Sequence, residues 1–267
     1  FLVSTTTMAK RIVRGKAKIR DAGIPFVVPG EDEFAERLES VLAVVYLVFN
    51  EGYAASSGRE LTRVELSTEA IRLGRLIADL IPDAESTGLL ALMLLQESRR
   101  AARTSHDGDL ILLEDQDRSR WDRAMIDEGL ALLRRILVGG EVGPYTIQAA
   151  IAAVHASSTS TAATDWGVIV SWYDLLLRCS PSPIVRLNRA VALSLRDGPL
   201  AGLAELDALD ATKTLAGYHL FPAARADLFR RLGRRDEARA AYESALSLAQ
   251  LEPERRFLRR RLEQLDQ

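Results

Sequence analysis

Apolar residues along this 267-residue chain recur at the three- and four-residue spacing of amphipathic helices, and they predict an all-α fold. The first helix is read from a Ser4 cap to Arg20, with only Met8, Ile12 and Ile19 as a thin apolar stripe. Ala22-Gly23 ends it. Ile24-Pro25-Phe26-Val27-Val28-Pro29-Gly30 then reads as an extended linker, because each proline keeps the residue before it out of helical geometry. The next helix runs from Asp32 to about Asn50; it is apolar nearly all round from Val41 to Phe49, the pattern of a central buried helix. Leu66, Ala70, Leu73, Ile77 and Leu80 make the inward stripe of a helix over Leu66–Ile81, stopped by Pro82. Leu89 to Leu95 begins another buried helix, with Arg99, Arg100 and Arg103 near its C-terminus, where cations are favoured. After a polar interruption, Trp121, Met125, Leu132, Leu133, Ile136 and Leu137 fall on one face of a helix reaching Gly139-Gly140. Residues 31–142 are read as one all-α helical domain.

From Pro144 the pattern changes to paired helices separated by tight turns, and an internal repeat emerges over residues 143–267. Leu232-Gly-Arg-Arg-Asp-Glu-Ala238, followed by Tyr242 and Ala245-Leu246, is a tetratricopeptide (TPR) signature: small residues where helices cross closely and an aromatic knob between them. The preceding unit repeats it at an offset of 37, in Leu195/Leu232, Ala201/Ala238, Ala208/Ala245 and Leu209/Leu246. Ile169, Tyr173, Leu176 and Pro181 mark a looser unit before that. The usual spacing and the first-helix glycine are not kept, so the repeats are degenerate. The predicted class is therefore a helical bundle followed by TPR-like helix pairs.

Composition narrows the function more than the fold. A net charge of −2 and 48% hydrophobic residues imply no overall attraction to nucleic acid or membrane. That average hides an asymmetry. Residues 1–20 contain Lys10, Arg11, Arg14, Lys16, Lys18 and Arg20 and no acid, and Arg255, Arg256, Arg259, Arg260 and Arg261 crowd one late helix. The longest apolar stretch, Val41 to Phe49, is far shorter than the roughly 20 residues a membrane span needs. A lone cysteine, Cys179, fits a reducing cytosol and reads as a small core residue, not a nucleophile. The chain begins at Phe1 without an initiator methionine and shows no signal peptide, so a cytoplasmic, trimmed or partial polypeptide is expected.

Two polar motifs interrupt the apolar blocks. Asn50-Glu51-Gly52-Tyr53 follows the first apolar helix, with Asn50 and Gly52 read as its C-cap and Glu51 as the carboxylate of a structural ion pair. The longer one, His106 to Asp122, opens with an Asp107-Gly108 turn and a short apolar run from Leu110 to Leu113, then becomes densely charged. Asp117 or Ser119 is a plausible N-cap of the helix that follows, and Ser119-x-x-Asp122 is a loose capping box. On the structural account, Glu114, Asp115 and Asp117 stabilise that helix start by about 0.3–1 kcal/mol each, which is ordinary. On the functional account Asn50, Glu51, Tyr53, Glu114, Asp115, Asp117, Arg118, Arg120 and Trp121 form a polar interaction site between two helical halves. Asp165 is a plausible cap for the helix carrying Trp166 and Trp172, which are core by default. His106, His155 and His219 have no metal-like spacing and read as surface or satisfied core residues. There is no Gly-rich phosphate loop, no Gly-x-Ser-x-Gly and no His-Glu-x-x-His, so no cofactor or metal is expected.

Thr7-Met-Ala-Lys-Arg11-Ile-Val-Arg14-Gly-Lys16 resembles the second helix of the helix-turn-helix in region 4 of bacterial extracytoplasmic-function sigma factors, written there Thr-Val-x-Ser-Arg-Leu-x-Arg-Ala-Arg. Met8, Ile12, Gly15 and Lys16 depart from it conservatively, and Lys10 does not. Ile19-Arg-Asp-Ala-Gly-Ile-Pro-Phe26, Phe49 to Tyr53, Leu112 to Asp122 and Leu187-Asn-Arg-Ala-Val-Ala192 extend the likeness to the subgroup with a large helical, TPR-like C-terminal extension. The resemblance implies that residues 1–23 are a remnant of region 4 with its recognition helix, and residues 24–30 the linker. It implies that Thr5, Thr6, Thr7, Lys10 and Arg11 face promoter bases and phosphates, with Arg14, Lys16 and Lys18 near the backbone. RNA polymerase core and promoter DNA would be the partners of the full-length protein, with a regulatory protein or peptide on the repeats. Region 2 and the first half of region 4 are not in this sequence, so the polypeptide alone is not expected to start transcription.

Two further functions are compatible with the residues. A free-standing TPR-like scaffold would bind a peptide or small ligand in its concave groove. An enzyme would use Glu51, Glu114, Asp115 or Asp117 as acid, base or metal ligand, a reading that rests on acidic clustering alone.

Overall fold

The computed structural model describes residues 5–23, 34–55 and 61–266. Among them lie twelve α-helices and no strand; a single bridge pairs Thr104 with Leu110. The Ser4 cap, the 24–30 linker and Ser56-Ser-Gly58 fall outside the described residues. Two compact units divide the chain at residue 40. None of the described helices is long and apolar enough to cross a membrane.

In the first unit, α1 spans Thr5–Asp21. Thr6, Thr7, Lys10, Arg11, Arg14, Lys16, Lys18 and Arg20 are all exposed, Met8 is half-buried, and Ile12 is exposed despite its expected place in the apolar stripe. With so few apolar positions the helix has little surface to bury, and its sequence leaves it cationic on nearly every side.

In the second unit the central helix is not the one expected. α2 (Phe34–Tyr53) buries Leu42, Val45 and Phe49 but leaves Val41, Val44 and Leu47 exposed, Val44 to 60%. The buried centre is instead α4 (Ala84–Glu97), in which every residue from Ser86 to Leu95 is buried. It is contacted by α3 (Val64–Leu80), α5 (Arg123–Gly139) and α6 (Pro144–Ser157). A run of apolar side chains reports what a helix can tolerate; how many neighbours surround it decides burial.

Small residues set how closely those neighbours approach. The buried stripe of α3 is Ser67, Ala70, Ile71, Gly74 and Ala78, not the leucine stripe expected, and Leu80 is 71% exposed. A β-carbon on Gly74 would lie 2.5 Å from Met93 Cε, so α3 turns its small face to α4 and sends larger side chains outward. α5 behaves alike: Gly129 meets Leu95 and the Ala91 carbonyl, Ile126, Leu133 and Ile136 are buried, and Leu137 is exposed.

Beyond α6 the chain continues as α7 (Trp166–Cys179), α8 (Pro183–Arg196), α9 (Pro199–Asp210), α10 (Leu220–Arg231), α11 (Arg235–Leu248) and α12 (Glu252–Leu265), each packed on the next. The TPR-like pairs α8/α9 and α10/α11 are present, but their packing repeats every 36 residues, not 37. Ala190/Ala226, Ala192/Leu228, Leu193/Phe229, Gly202/Ala238, Leu206/Tyr242 and Leu209/Ala245 are buried in both units. At the letter-matched offset, Ala208 is exposed where Ala245 is buried. Matching letters aligned residue types, whereas matching burial aligns helix faces. Gly198 (φ 97°) and Gly233 (φ 72°) supply the left-handed residue in the turn of each pair. Cys179, expected in the core, is exposed at the end of α7.

The late basic helix spends its charge inside the molecule. Arg256 Nε donates to Asp109 Oδ1 at 2.6 Å and its Nη2 to the Gly108 carbonyl at 3.2 Å; Arg260 donates to the other Asp109 oxygen. Arg255 donates to the Leu246 and Ala249 carbonyls, and Arg259 pairs with Glu252. The Asp107-Gly108 turn is thereby fastened to α12, about 150 residues further on in the chain.

Candidate functional site

The charged stretch before α5 forms two short 3-10 turns, Leu113–Asp115 and Arg118–Arg120. Neither expected residue caps α5. Asp122 does, accepting from the Met125 amide at 3.1 Å, while Asp117 caps the second 3-10 turn and accepts from both the amide and the hydroxyl of Ser119. Those bonds hold the exposed Asp117 carboxyl below the usual range. The loose capping box does not form, because Ser119 lies inside that earlier turn.

The structure divides the expected polar site in two. Glu114, Asp115, Asp117 and Arg120 are exposed, with Glu114 4.0 Å from Arg261. Glu51 pairs with Arg63 at 3.3 Å, as the structural account requires, and Asn50 is half-buried. Gly52 lies within the last turn of α2 and is not its cap. Glu51, Glu114 and Asp117 are each engaged where they stand. Tyr53, Arg118 and Trp121, by contrast, are brought together, and with residues the sequence reading had left aside: Glu97, Arg99, Arg103 and His155.

This cluster grows from the C-terminal ends of α2 and α4. Glu97 is 4% exposed; its Oε1 accepts from Ser67 Oγ at 3.0 Å and from Arg100, and its Oε2 is enclosed without a partner. Burial raises the Glu97 carboxyl, against the opposing pull of Arg100 and Ser67. Arg103 lays its guanidinium 3.5 Å from the Tyr53 ring centroid and donates to the Tyr53 carbonyl. Arg99 Nη2 donates to Tyr53 Oη at 3.0 Å. Trp121, 4% exposed, has Arg118 at 4.4 Å and Arg99 at 5.9 Å from its ring centroid. Arg118 Nη1 donates to the carbonyls of His155 and Ser158 at 2.7 and 2.6 Å, tying this loop to the end of α6.

His155 packs edge-on to Trp166, with ring centroids 5.3 Å apart. It was expected to be a surface or satisfied core histidine and is neither, since its Nδ1 is enclosed and unpartnered. Burial, reinforced by Arg99 and Arg118, lowers its pKa to about 4, so the ring is neutral near pH 7. Glu97, the buried acid, is taken up by Arg100. Among the described residues no carboxylate lies within 4.0 Å of Arg99, Arg103 or Arg118. The sequence carried a signal for this: Arg99, Arg100 and Arg103 recur at helical spacing after an apolar block. The sequence assigns them to the helix dipole, but α4 ends at Glu97; Arg99 and Arg103 turn toward aromatic rings and Arg100 pairs with Glu97.

Two other features bear on function. One is the exposed cationic surface of α1. The other is a shallow groove of about 420 Å³ across α10 and α11, lined by Leu215, Phe221, Phe229, Ala241 and Leu248 with Arg225 at its edge. His106 is exposed beside Asp107, and His219 Nε2 lies 3.2 Å from Glu254.

Residues 37–137 match a family of unknown function, DUF6596. That span runs from within α2 to within α5 and carries Tyr53, Glu97, Arg99, Arg103, Arg118 and Trp121, while His155 lies beyond it. The chain is also similar to an uncharacterized protein of Rhizobium meliloti (strain 1021), 47% identical over 266 residues, which are 99% of this chain and 62% of that protein. It thus spans less than two thirds of the relative's length.

Proposed function

We propose that this chain is the C-terminal part of an extracytoplasmic-function type sigma factor, in which α1 reads promoter DNA and the helical body is a regulatory, protein-interacting module. The observation that supports this most is α1 itself. Its six cations are exposed. Exposed Thr6 and Thr7 occupy its first turns, from which hydroxyls reach base edges while cations meet phosphates. The reading puts the protein in the cytoplasm, with polymerase core and DNA as partners of the full-length form.

Transcription by core polymerase with the full-length protein, on genomic templates, tests it. Discrete start sites are expected, lost on combined Arg11→Glu and Arg14→Glu; no start site on any template overturns the reading. In parallel, the salt slope of DNA binding should fall by about 0.9 for each phosphate-contacting cation removed.

The groove across α10 and α11 favours a second reading, a scaffold that takes a peptide on its helix pairs. Peptide affinity would then be indifferent to the α1 charge reversals and lost on Phe229→Glu.

A further inference from the structure

Besides Glu97 Oε2, three enclosed polar atoms in the cluster have no partner, all of them nitrogens: Arg118 Nη2, Trp121 Nε1 and His155 Nδ1. They belong to one neighbourhood. The Arg118 guanidinium stacks on Trp121 at 4.4 Å and reaches the His155 carbonyl at 2.7 Å. Arg99 and Arg118 face the Trp121 ring, and Arg103 lies within the field of Arg99; among the described residues none of the three has a carboxylate within 4.0 Å, and Glu97 acts on Arg103 from beyond that distance. A buried N–H left unmade costs about 1–3 kcal/mol, and a half-buried cation without a counter-charge adds to that. Water would satisfy the N–H groups and leave the charge standing. An anion answers both, and planar guanidiniums beside an indole N–H match the lone pairs of an oxyanion.

We propose that Arg99, Arg118, Trp121 and His155 hold a small oxyanion, the carboxylate or phosphate group of a metabolite-sized ligand. Arg99, Arg118 and His155 are all half-buried, so the cluster reaches solvent. Arg103 is turned to the Tyr53 ring and carbonyl, so it contributes field rather than contact. Neutral His155 adds no competing charge and presents Nδ1 as a donor in one tautomer. The proposal does not depend on α1 reading DNA, and neither result decides the other.

Thermal unfolding of the full chain, titrated with phosphate and separately with succinate against sodium chloride at matched ionic strength near neutral pH, tests it. A saturable rise in Tm with one of the two anions is expected. Phosphate alone would mark a phosphate-bearing ligand, and succinate alone a carboxylic acid. Trp121→Phe keeps an aromatic ring for Arg118 to stack on and removes the N–H; Arg99→Gln removes a charge beside the same ring. Each should raise the titration midpoint about tenfold, the loss of one charge-assisted hydrogen bond, with unchanged circular dichroism. Arg72→Gln, in an exposed pair with Glu69, should leave it unmoved. Anion shifts no larger than chloride's, or shifts that persist in both cluster variants, overturn the proposal. Calorimetry on the unaltered chain decides independently of folding: no binding heat with either anion also overturns it.

Discussion

His155, beside Arg99 and Arg118, and Glu97, beside Arg100 and Arg103, give stability opposite slopes against pH. The His155 imidazole is held down to about 4, below its unfolded value of about 6.5, so between those values the unfolded chain binds the extra proton. Its contribution is complete above about pH 6.5 and is lost as pH falls toward about 4. His155→Gln is therefore expected to flatten that stretch of the stability curve, measured by urea denaturation at stepped pH. Glu97 works the other way. Its carboxyl is raised by burial, so its contribution is greatest below its unfolded value and declines as pH rises. Glu97→Gln should steepen the gain in stability with pH. At Gly52 the constraint is contact alone: a β-carbon there would sit 2.3 Å from Ser67 N and 2.9 Å from Ser67 Cα. Backbone atoms cannot swing aside as a side chain can, and Gly52→Ala is expected to cost about 1–3 kcal/mol in denaturant unfolding.

Helix ends in this molecule are often finished by a neighbouring element. The first turn of α6 receives Glu85 from α4, whose oxygens accept from the Tyr145 amide at 2.8 Å and the Thr146 amide at 3.0 Å. Pro144 at the helix start has no amide to satisfy, so Glu85 serves two of the orphan donors there. Glu85→Ala is expected to lower stability by about 2 kcal/mol, and Glu85→Gln by less, measured by the shift in denaturation midpoint. Asp83, which closes a capping box with Ser86 at the start of α4, should cost about 1 kcal/mol on Asp83→Ala. These caps explain much of what the sequence could and could not convey. Helices were legible as helices because period and breakers are local. Which face turned inward was not, since Gly74, Gly88 and Gly129 act through a second helix that no local pattern names. Gly88, for instance, would put a β-carbon 2.5 Å from Thr146 Oγ1 on α6. The same holds for the cluster. Tyr53, Arg118 and Trp121 stood out as members of polar motifs, whereas Arg99, Arg103 and His155 matter only because the ends of α2, α4 and α6 converge.

Across the second unit, Asp109 joins the first bundle of helices to the last helix through Arg256 and Arg260. Arg256 and then Arg260 hold the Asp109 carboxyl below its ordinary range, so this tie weakens as acid protonates it. Asp109→Ala is expected to speed hydrogen exchange in residues 104–117 and in α12 while leaving α4 protected, because exposed ion pairs order a loop more than they stabilise a core. A uniform rise in exchange would show instead that the tie supports the whole unit.

The amino-acid sequence alone determined that this protein is helical, that its opening helix is cationic on nearly all sides, and that its last third is built of repeated helix pairs. Each of these follows from the spacing of residue types within one helix or one repeat. Tertiary structure decided that α4 and not α2 is central, that the packing repeat is 36 residues, as from Ala190 to Ala226, and that two arginines without carboxylates, Arg99 and Arg118, face Trp121 while a third, Arg103, covers Tyr53. Those outcomes depend on how closely separate helices approach and on which charges then share a space. That is set by volume and electrostatics across the chain, not along it.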